Sequence, residues 1–348
     1  MLKKPPKPTI CIYDCDTLLF ESSAAGETTF YIYKDEEGRE ICRFDSAKKA
    51  KNWIEECSHM EADIRFQYQG DVTALTRHVE YEIKDFEECR KVFDQGLKKI
   101  LKLSGCKEIR AYISSKSGAK VFRNDLATLR QYKPSRNDSR KPHHLENVRK
   151  YARTLPEVKV TRGDVETDDR VMQDAEKLKH KACLAFSDKD GLQGKGVWLL
   201  HVGKHEKPVW SSSKIVGRIG EREDGSIKKI GYLALMYQMI VGDSVDGIGG
   251  IKGKGEKLVR DILFKYDGKP ISELPSLVET VLRAYYDVYG AEYTYNHWDG
   301  SREITSSYKD VFKENLLLLW MRRFKEDDCR VIMDIVDSLD LERVDNEL

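Results

Sequence analysis

Nine carboxylates in four short stretches are the residues of this sequence best suited to chemistry. They are Asp14 and Asp16 in YDCDTL, Glu166, Asp168 and Asp169 in GDVETDDRV, Asp188 and Asp190 in SDKDG, and Asp243 and Asp246 in VGDSVDGIGGIKGKG. Carboxylates drawn into one place raise one another's pKa, so they stay ionised together only beside cations. An oxygen-rich, sulfur-free set suits Mg²⁺ or Mn²⁺. Two such ions about 3.5–4 Å apart are a known arrangement for in-line phosphodiester cleavage. Each stretch alone has an ordinary explanation. An Asp-x-Asp after a strand caps or turns the chain, an acidic helix start meets the helix dipole, and Asp-Lys-Asp-Gly is common turn composition. Four of them in one α/β pattern are harder to dismiss.

The elements that must carry them follow from periodicity. The run TICIY (9–13) is apolar and partly β-branched and ends at Asp14, as a buried strand would. Two strands around a polar turn are expected over 29–44, and helices over 46–57 and 85–103, the latter opened by Asp85 and closed by Gly105. A strand is expected at 108–114, a helix at 143–154, a strand at 157–161, a helix near 167–181, and strands at 182–187 and 196–202. This alternation predicts an α/β fold with a mostly parallel central sheet flanked by helices. In such a sheet the carboxyl ends of the strands border the ligand crevice, so distant acidic residues can converge there. Within GDVETDDRV, Glu166 and Asp169 share a helix face and Asp168 points elsewhere. Residues 203–230 read as a hairpin or ordered loop. From Gly231 onward the patterns are almost entirely helical, including 272–289 and 307–323.

Composition bounds the answer. The chain of 348 residues has room for one large domain or two smaller ones, and its net charge of +1 is uninformative. Its distribution says more, because residues 116–150 hold ten Lys/Arg against three Asp/Glu. Eight cysteines form no C-x-x-C pair, so neither a zinc knuckle nor a disulfide framework is indicated. No apolar run approaches the roughly 18 residues of a membrane helix, and MLKKPPKPT has no apolar core of a secretory signal. A cytoplasmic protein without a membrane partner is the expectation.

Two readings of the aspartates compete. A haloacid-dehalogenase-type phosphatase also ends in Gly-Asp-Ser-x-x-Asp and opens with Asp-x-Asp-x-Thr, but Thr17 falls one residue early. That motif follows a buried strand, whereas Leu233, Met236, Tyr237 and Ile240 have helical spacing before Asp243. A Walker A loop is excluded because Glu256 occupies the lysine position. The other reading is a metal-dependent nuclease with a glycine-rich turn on DNA.

The order of acidic stretches, with VFRNDLATLRQYKPSR between the first and second, resembles the flap endonuclease/5′→3′ exonuclease superfamily, the bacteriophage exonucleases in particular. The likeness covers roughly residues 9–20 and 108–265. It implies a PIN-like nuclease core over 1–230, with an elaboration at about 21–107 and an arch or gateway at about 116–150. A helical DNA-binding part would follow over 231–348, with a helix–three-turn–helix at about 231–266. One departure stands out: where the family carries a further Asp at the end of the strand before the basic segment, this sequence has Ser114 and Ser115, and Asp16 is the residue that could compensate.

The resemblance also implies roles. Two Mg²⁺ or Mn²⁺ ions are expected on Asp14, Asp16, Glu166, Asp168, Asp169, Asp188, Asp190, Asp243 and Asp246. Lys120 and Arg123 are the candidates to hold the scissile phosphate. Arg130, Lys133, Arg136 and Arg140 would guide a single-stranded 5′ portion, with Phe122 or Tyr132 available to stack on a base; core packing is the ordinary alternative for both rings, and an equal one for Tyr132. Gly250, Gly253 and Gly255 would let backbone N–H groups reach phosphates, Lys252, Lys254 and Lys257 would add charge, and K⁺ is implied in such a turn. The expected activity is hydrolysis of phosphodiesters near the 5′ end of duplex or flapped DNA, leaving 5′-phosphate and 3′-hydroxyl ends, in a bacterial or phage-infected cytoplasm. A role in DNA replication, including removal of RNA primers from RNA/DNA hybrids, belongs to the same expectation. A catalytically silent binder of branched DNA is the reading from another class.

Overall fold

The computed structural model describes residues 4–59, 72–115, 122–134, 140–161, 165–204, 207–324 and 326–341. The first half of the chain runs β1 (Ile10–Asp14), α1 (Asp16–Ala24), β2 (Glu27–Lys34), β3 (Glu40–Phe44), α2 (Ala47–His59), β4 (Thr76–Ile83), α3 (Phe86–Ser104), β5 (Glu108–Ser114), α4 (Phe122–Leu126), α5 (Leu145–Ala152) and β6 (Val158–Thr161). Then come α6 (Thr167–Leu178), β7 (Ala182–Phe186), β8 (Val197–His201), β9 (Val209–Ser211), β10 (Gly217–Glu221), β11 (Ile227–Gly231) and α7 (Tyr232–Val241). The chain ends with α8 (Glu256–Leu263), α9 (Leu274–Tyr289), β12 (Tyr293–Asn296), β13 (Glu303–Ser306), α10 (Tyr308–Leu319) and α11 (Arg330–Ser338).

The chain divides into two compact units, one of Met1–Thr17, Leu97–Arg140 and Arg153–Leu348, the other of Leu18–Gly96 and Lys141–Ala152. The first unit is built on a six-stranded sheet ordered β6-β5-β1-β7-β8-β9, parallel except for β9. Strands β7 and β8 are buried at every position, which explains why their sequences run apolar without alternation. Helix α6 packs Val171, Met172 and Ala175 on Ile12, Leu184 and Leu199 of the sheet. From β1 the chain first builds outward through β5 and β6, then returns to β7 on the other side. The strand order therefore reverses between β1 and β7, where open α/β sheets form their ligand crevice.

The same unit contains the C-terminal helices, whose core joins Leu233, Met236 and Ile240 of α7 to Leu277 and Val281 of α9, and to Phe312 and Leu316 of α10. The buried Tyr285 hydroxyl donates to the Met239 carbonyl at 2.6 Å, and Asn315 Nδ2 donates to that hydroxyl at 2.9 Å. Residues 203–230 do contain a hairpin, β10–β11. The segment after Gly231 is less uniformly helical than its pattern suggested, because β12 and β13 pair antiparallel. Their short alternating runs, YTYN and EITS, lie between much longer helical periods.

The second unit holds an antiparallel sheet ordered β3-β2-β4, together with α2 and α5. Strand β4 was not anticipated. All eight of its residues are exposed, so no apolar alternation against a core marked it in the sequence.

Gly242 closes α7 at φ +81, and a Cβ there would lie 2.4 Å from the Ile248 carbonyl oxygen. Gly253 has a similar φ of +73 but nothing within 4 Å of its would-be Cβ. Gly253→Ala is therefore expected to cost about 1–2 kcal/mol for the left-handed backbone alone. Gly242→Ala should cost more than about 3 kcal/mol, because backbone must also move. Thermal melts of the two variants measure the difference, and equal melting temperatures would contradict the packing described.

Candidate metal centre

Four elements deliver carboxylates to the carboxyl end of the sheet. Asp14 is the last residue of β1, and Asp188 and Asp190 lie just past β7, the two strands that flank the reversal of order. Asp168 sits in the first turn of α6, and Asp243 and Asp246 follow α7. Asp14, Asp168, Asp188 and Asp190 line one small cavity of about 10 Å³, roughly the space of a single water-sized body. Carboxylate oxygens of Asp190, Asp243 and Asp246 lie within 4.8 Å of one another. Asp190 thus belongs to both groups.

The electrostatics express this crowding. Burial pushes the Asp14 carboxyl well above the ordinary carboxylate range, and the neighbouring Asp168 and Asp16 push it further. Burial does the same to Asp190, with Asp188, Asp168 and Asp246 adding to it. Asp188 is raised by burial and by Asp168 and Asp243. Burial also raises Asp246, with Lys133 pulling the other way. The protein supplies two cations of its own: Lys189 Nζ lies 2.9 Å from Asp243 Oδ1, and Lys133 Nζ lies 3.3 Å from both Asp246 Oδ2 and Glu166 Oε1. Lys133 holds a φ of +51, an unusual backbone for a non-glycine residue and one often found at functional sites.

The remaining acidic candidates face other partners. Asp16 accepts the Ser114 backbone N–H at 2.9 Å on Oδ1 and the Thr167 hydroxyl at 3.0 Å on Oδ2. Its carboxylate therefore sits at the end of β5, beside the serine that stands where the family pattern has Asp. Glu166 and Asp169 were expected on one helix face; Glu166 instead precedes the helix as its extended N-cap residue, and it meets Asp169 of the first turn at Arg123. The Arg123 guanidinium bonds both Asp169 oxygens at 3.0 Å, pairs with Glu166, and donates to the carbonyls of Leu318 and Trp320. Arg123 is only 2% exposed, so the phosphate contact expected of it is not open in this conformation; it fixes the start of α6 instead.

The basic segment is otherwise split. Lys120 and Arg136 lie outside the described residues, and Arg140 is exposed. Tyr132 was expected either on a base or in the core; it packs in the core of the first unit, with Lys133 Nζ 4.8 Å from its ring centre, so neither ring face is open to stacking. Phe122 is covered by Arg322 at 3.4 Å. Arg130 is exposed and its guanidinium lies against Gly249, next to the glycine-rich turn.

Within that turn the glycines differ. Gly247 and Gly249 approach residues 130–131, Gly250 packs on Gly242, and its carbonyl accepts from Tyr289 and Asn315. Only the tip, with Gly253 and Gly255, is open, and the flanking Lys252, Lys254 and Lys257 are exposed. The helix α7 ahead of Asp243 removes the phosphatase pattern, which requires a strand there.

Two contributors escaped the sequence reading. Gln238, the one amide side chain inside the apolar run YLALMYQMIV, donates to Asp190 Oδ1 at 2.6 Å, and Gln193 Nε2 donates to Gln238 Oε1 at 3.1 Å. Lys189, between the two aspartates of SDKDG, supplies the cation on Asp243. Both signals were present as a lone amide in an apolar run and a lone lysine in an acidic turn.

No protein-family model matches the chain, and no curated protein matches it. Among solved structures it is similar to the T5 D15 flap endonuclease, a bacteriophage protein, as a pseudo-enzyme–product complex with DNA and metal ions. The identity is 15% over 71% of this chain and 86% of that one, with a TM-score of 0.41. It is also similar to T5 D15 protein co-crystallised with metal ions, at 13% identity over 94% of this chain and 96% of that one, with a TM-score of 0.45. These are likenesses of fold at low identity, and no residue's role is taken from them.

A carboxyl whose pKa is raised by folding favours the protonated state, so ionising it costs stability as pH rises above the ordinary value of 3.8. At neutral pH without metal, Asp190 is therefore a net burden on the fold. Asp190→Asn keeps the acceptor for Gln238 and removes the charge. Its melting temperature in EDTA should exceed that of the wild type by a few degrees, at about 2–4 °C per kcal/mol. Added Mn²⁺ should stabilise the wild type and leave this variant nearly unchanged. A variant that melts below the wild type in EDTA would contradict the electrostatic account.

Proposed function

We propose that the protein is a divalent-metal-dependent 5′ nuclease that hydrolyses phosphodiesters near the 5′ end of duplex or flapped DNA. The observation that carries this is the meeting of Asp14, Asp168, Asp188, Asp190, Asp243 and Asp246 at the sheet's carboxyl edge. An all-oxygen donor set of buried carboxylates with raised pKa values fits Mg²⁺ or Mn²⁺ and not a soft metal. In this reading Asp14, Asp168, Asp188, Asp190, Asp243 and Asp246 would hold the divalent ions. Ions bound there would supply a nucleophilic water near neutral pH and a counter-charge for the leaving oxygen.

The chain's own residues do the rest. Lys189 and Lys133 neutralise Asp243 and Asp246 until metal or substrate arrives, and both can then turn to a phosphate. Gln238 orients Asp190, and Arg123 fixes α6 so that Asp168 faces the cavity. The open tip of the turn with Lys252, Lys254 and Lys257 would grip duplex backbone without reading bases, with K⁺ as its companion ion. Arg130 lies alongside, and Lys120, Arg136 and Arg140 would extend the track for a 5′ strand. The helical part from 231 onward would then act as the duplex-holding region, and RNA/DNA hybrids would serve as substrates on the same backbone contacts.

Asp188→Asn and Asp243→Asn should each lower the rate of cutting a 5′-labelled flap in Mg²⁺ at least about a hundredfold. Binding of that flap in EDTA should stay within about threefold, because these residues do not grip the backbone. Wild-type rates in either variant would refute the site. No cutting by the wild type, with intact flap binding, would point to a silent binder of branched DNA.

A further inference from the structure

The sheet β3-β2-β4 of the second unit has two edges, and they differ. Strand β3 is five residues long, and its ladder with β2 shifts register between Tyr33 and Lys34. Such an irregularity commonly guards an edge against further pairing. Strand β4 has no such guard. Its ladder with β2 runs unbroken from Thr76 opposite Lys34 to Ile83 opposite Glu27, and TRHVEYEI contains no Pro, Gly or Lys. Among the described residues β4 pairs with β2 alone, so alternate residues turn their N–H and C=O groups to its other side.

The pairing register sorts the side chains of β4. Arg77, Val79, Tyr81 and Ile83 lie on the face of Tyr31 and Phe44, and the Arg77 guanidinium lies over the Tyr31 ring at 4.9 Å. Thr76, His78, Glu80 and Glu82 lie on the other face, where Arg43 of β3 reaches Glu80 at 3.1 Å. Val79 and Ile83 are 41% and 42% exposed. An apolar stripe along an unguarded edge is what sheets avoid unless another strand pairs there.

The order of charges identifies the strand. From its N-terminal end β4 is basic and then acidic, with Arg77 and His78 ahead of Glu80 and Glu82. An antiparallel copy reverses that order. Centred on Val79, it sets Val79 against Val79, His78 against Glu80, Arg77 against Tyr81 and Thr76 against Glu82, with no like charges opposed. Centring on Glu80 or Tyr81 opposes glutamates instead, and a parallel copy in register opposes every charge to its like. We infer that β4 is a dimerisation edge, pairing antiparallel with β4 of a second copy of this chain about the Val79 pair. Two three-stranded sheets then become one of six, with the apolar stripe continuous across the junction. This inference does not rest on the nuclease reading, since every residue it uses lies in the second unit.

Sedimentation equilibrium of the whole protein, in EDTA and reductant, tests it. The wild type should form a dimer in a concentration-dependent way. Val79→Lys, which sets two ammonium groups against each other at an exposed position, should weaken that dimer at least about tenfold with an unchanged circular dichroism spectrum. Cross-linking then tests the pairing. Val79→Cys should give a disulfide-linked dimer on mild oxidation, beyond the level of the wild type, because directly opposed Cβ atoms lie about 4.5–5.5 Å apart. Ile83→Cys, equally exposed, should not, because the two copies of that position would lie about 27 Å apart. A wild type that stays monomeric at every concentration would overturn the inference and leave the edge to a strand of another protein. An unweakened dimer in Val79→Lys, or cross-linking at 83 as rapid as at 79, would overturn it as well.

Discussion

Buried negative charges in mutual proximity are the condition that shapes this protein. Six carboxylates meet at one edge of a sheet, and several are desolvated as well as crowded. Desolvation alone disfavours each ionised form, and proximity compounds it. The fold answers in part with Lys133 and Lys189, and in part with amide donors such as Gln238. These partners offset some of the charge and leave a net excess of acid, the state from which a site gains most by taking cations.

The scaffold that imposes this condition is rigid for identifiable reasons. Asp14 and Asp188 are set by buried parallel strands on either side of the reversal in strand order. Asp168 is set by the Arg123 clamp on the first turn of α6, which also ties that helix to the carbonyls of Leu318 and Trp320 near the C-terminal end of α10. Asp243 and Asp246 are set by a turn in which Asp243 Oδ1 accepts the Val245 and Asp246 N–H groups, and whose glycines pack on residues 130–131. Helices from the C-terminal third therefore hold the same carboxylates as the sheet does, within one unit.

Much of this was legible in the residues. Buried strands such as TICIY and ACLAF read directly, because a run of apolar, partly β-branched residues between acidic stretches has few other solutions. The helix before Asp243 read from its spacing of four apolar residues, and it separated the phosphatase pattern from the other. What did not read were features defined by contacts across the chain. Arg123 looked like a phosphate ligand because sequence shows its charge but not the two carboxylates that neutralise it. Tyr132 looked able to stack because sequence shows a ring but not the core around it. Strand β4 was invisible for the opposite reason, since none of its residues is buried and no alternation results.

The central claim is that the six carboxylates form one cation site, and diffraction at the manganese edge tests it most directly. Crystals grown with Mn²⁺ should show two anomalous peaks at the sheet edge, both against these six carboxylates. No peak there, or Asp243 and Asp246 still paired to Lys189 and Lys133 at saturating Mn²⁺, would contradict it.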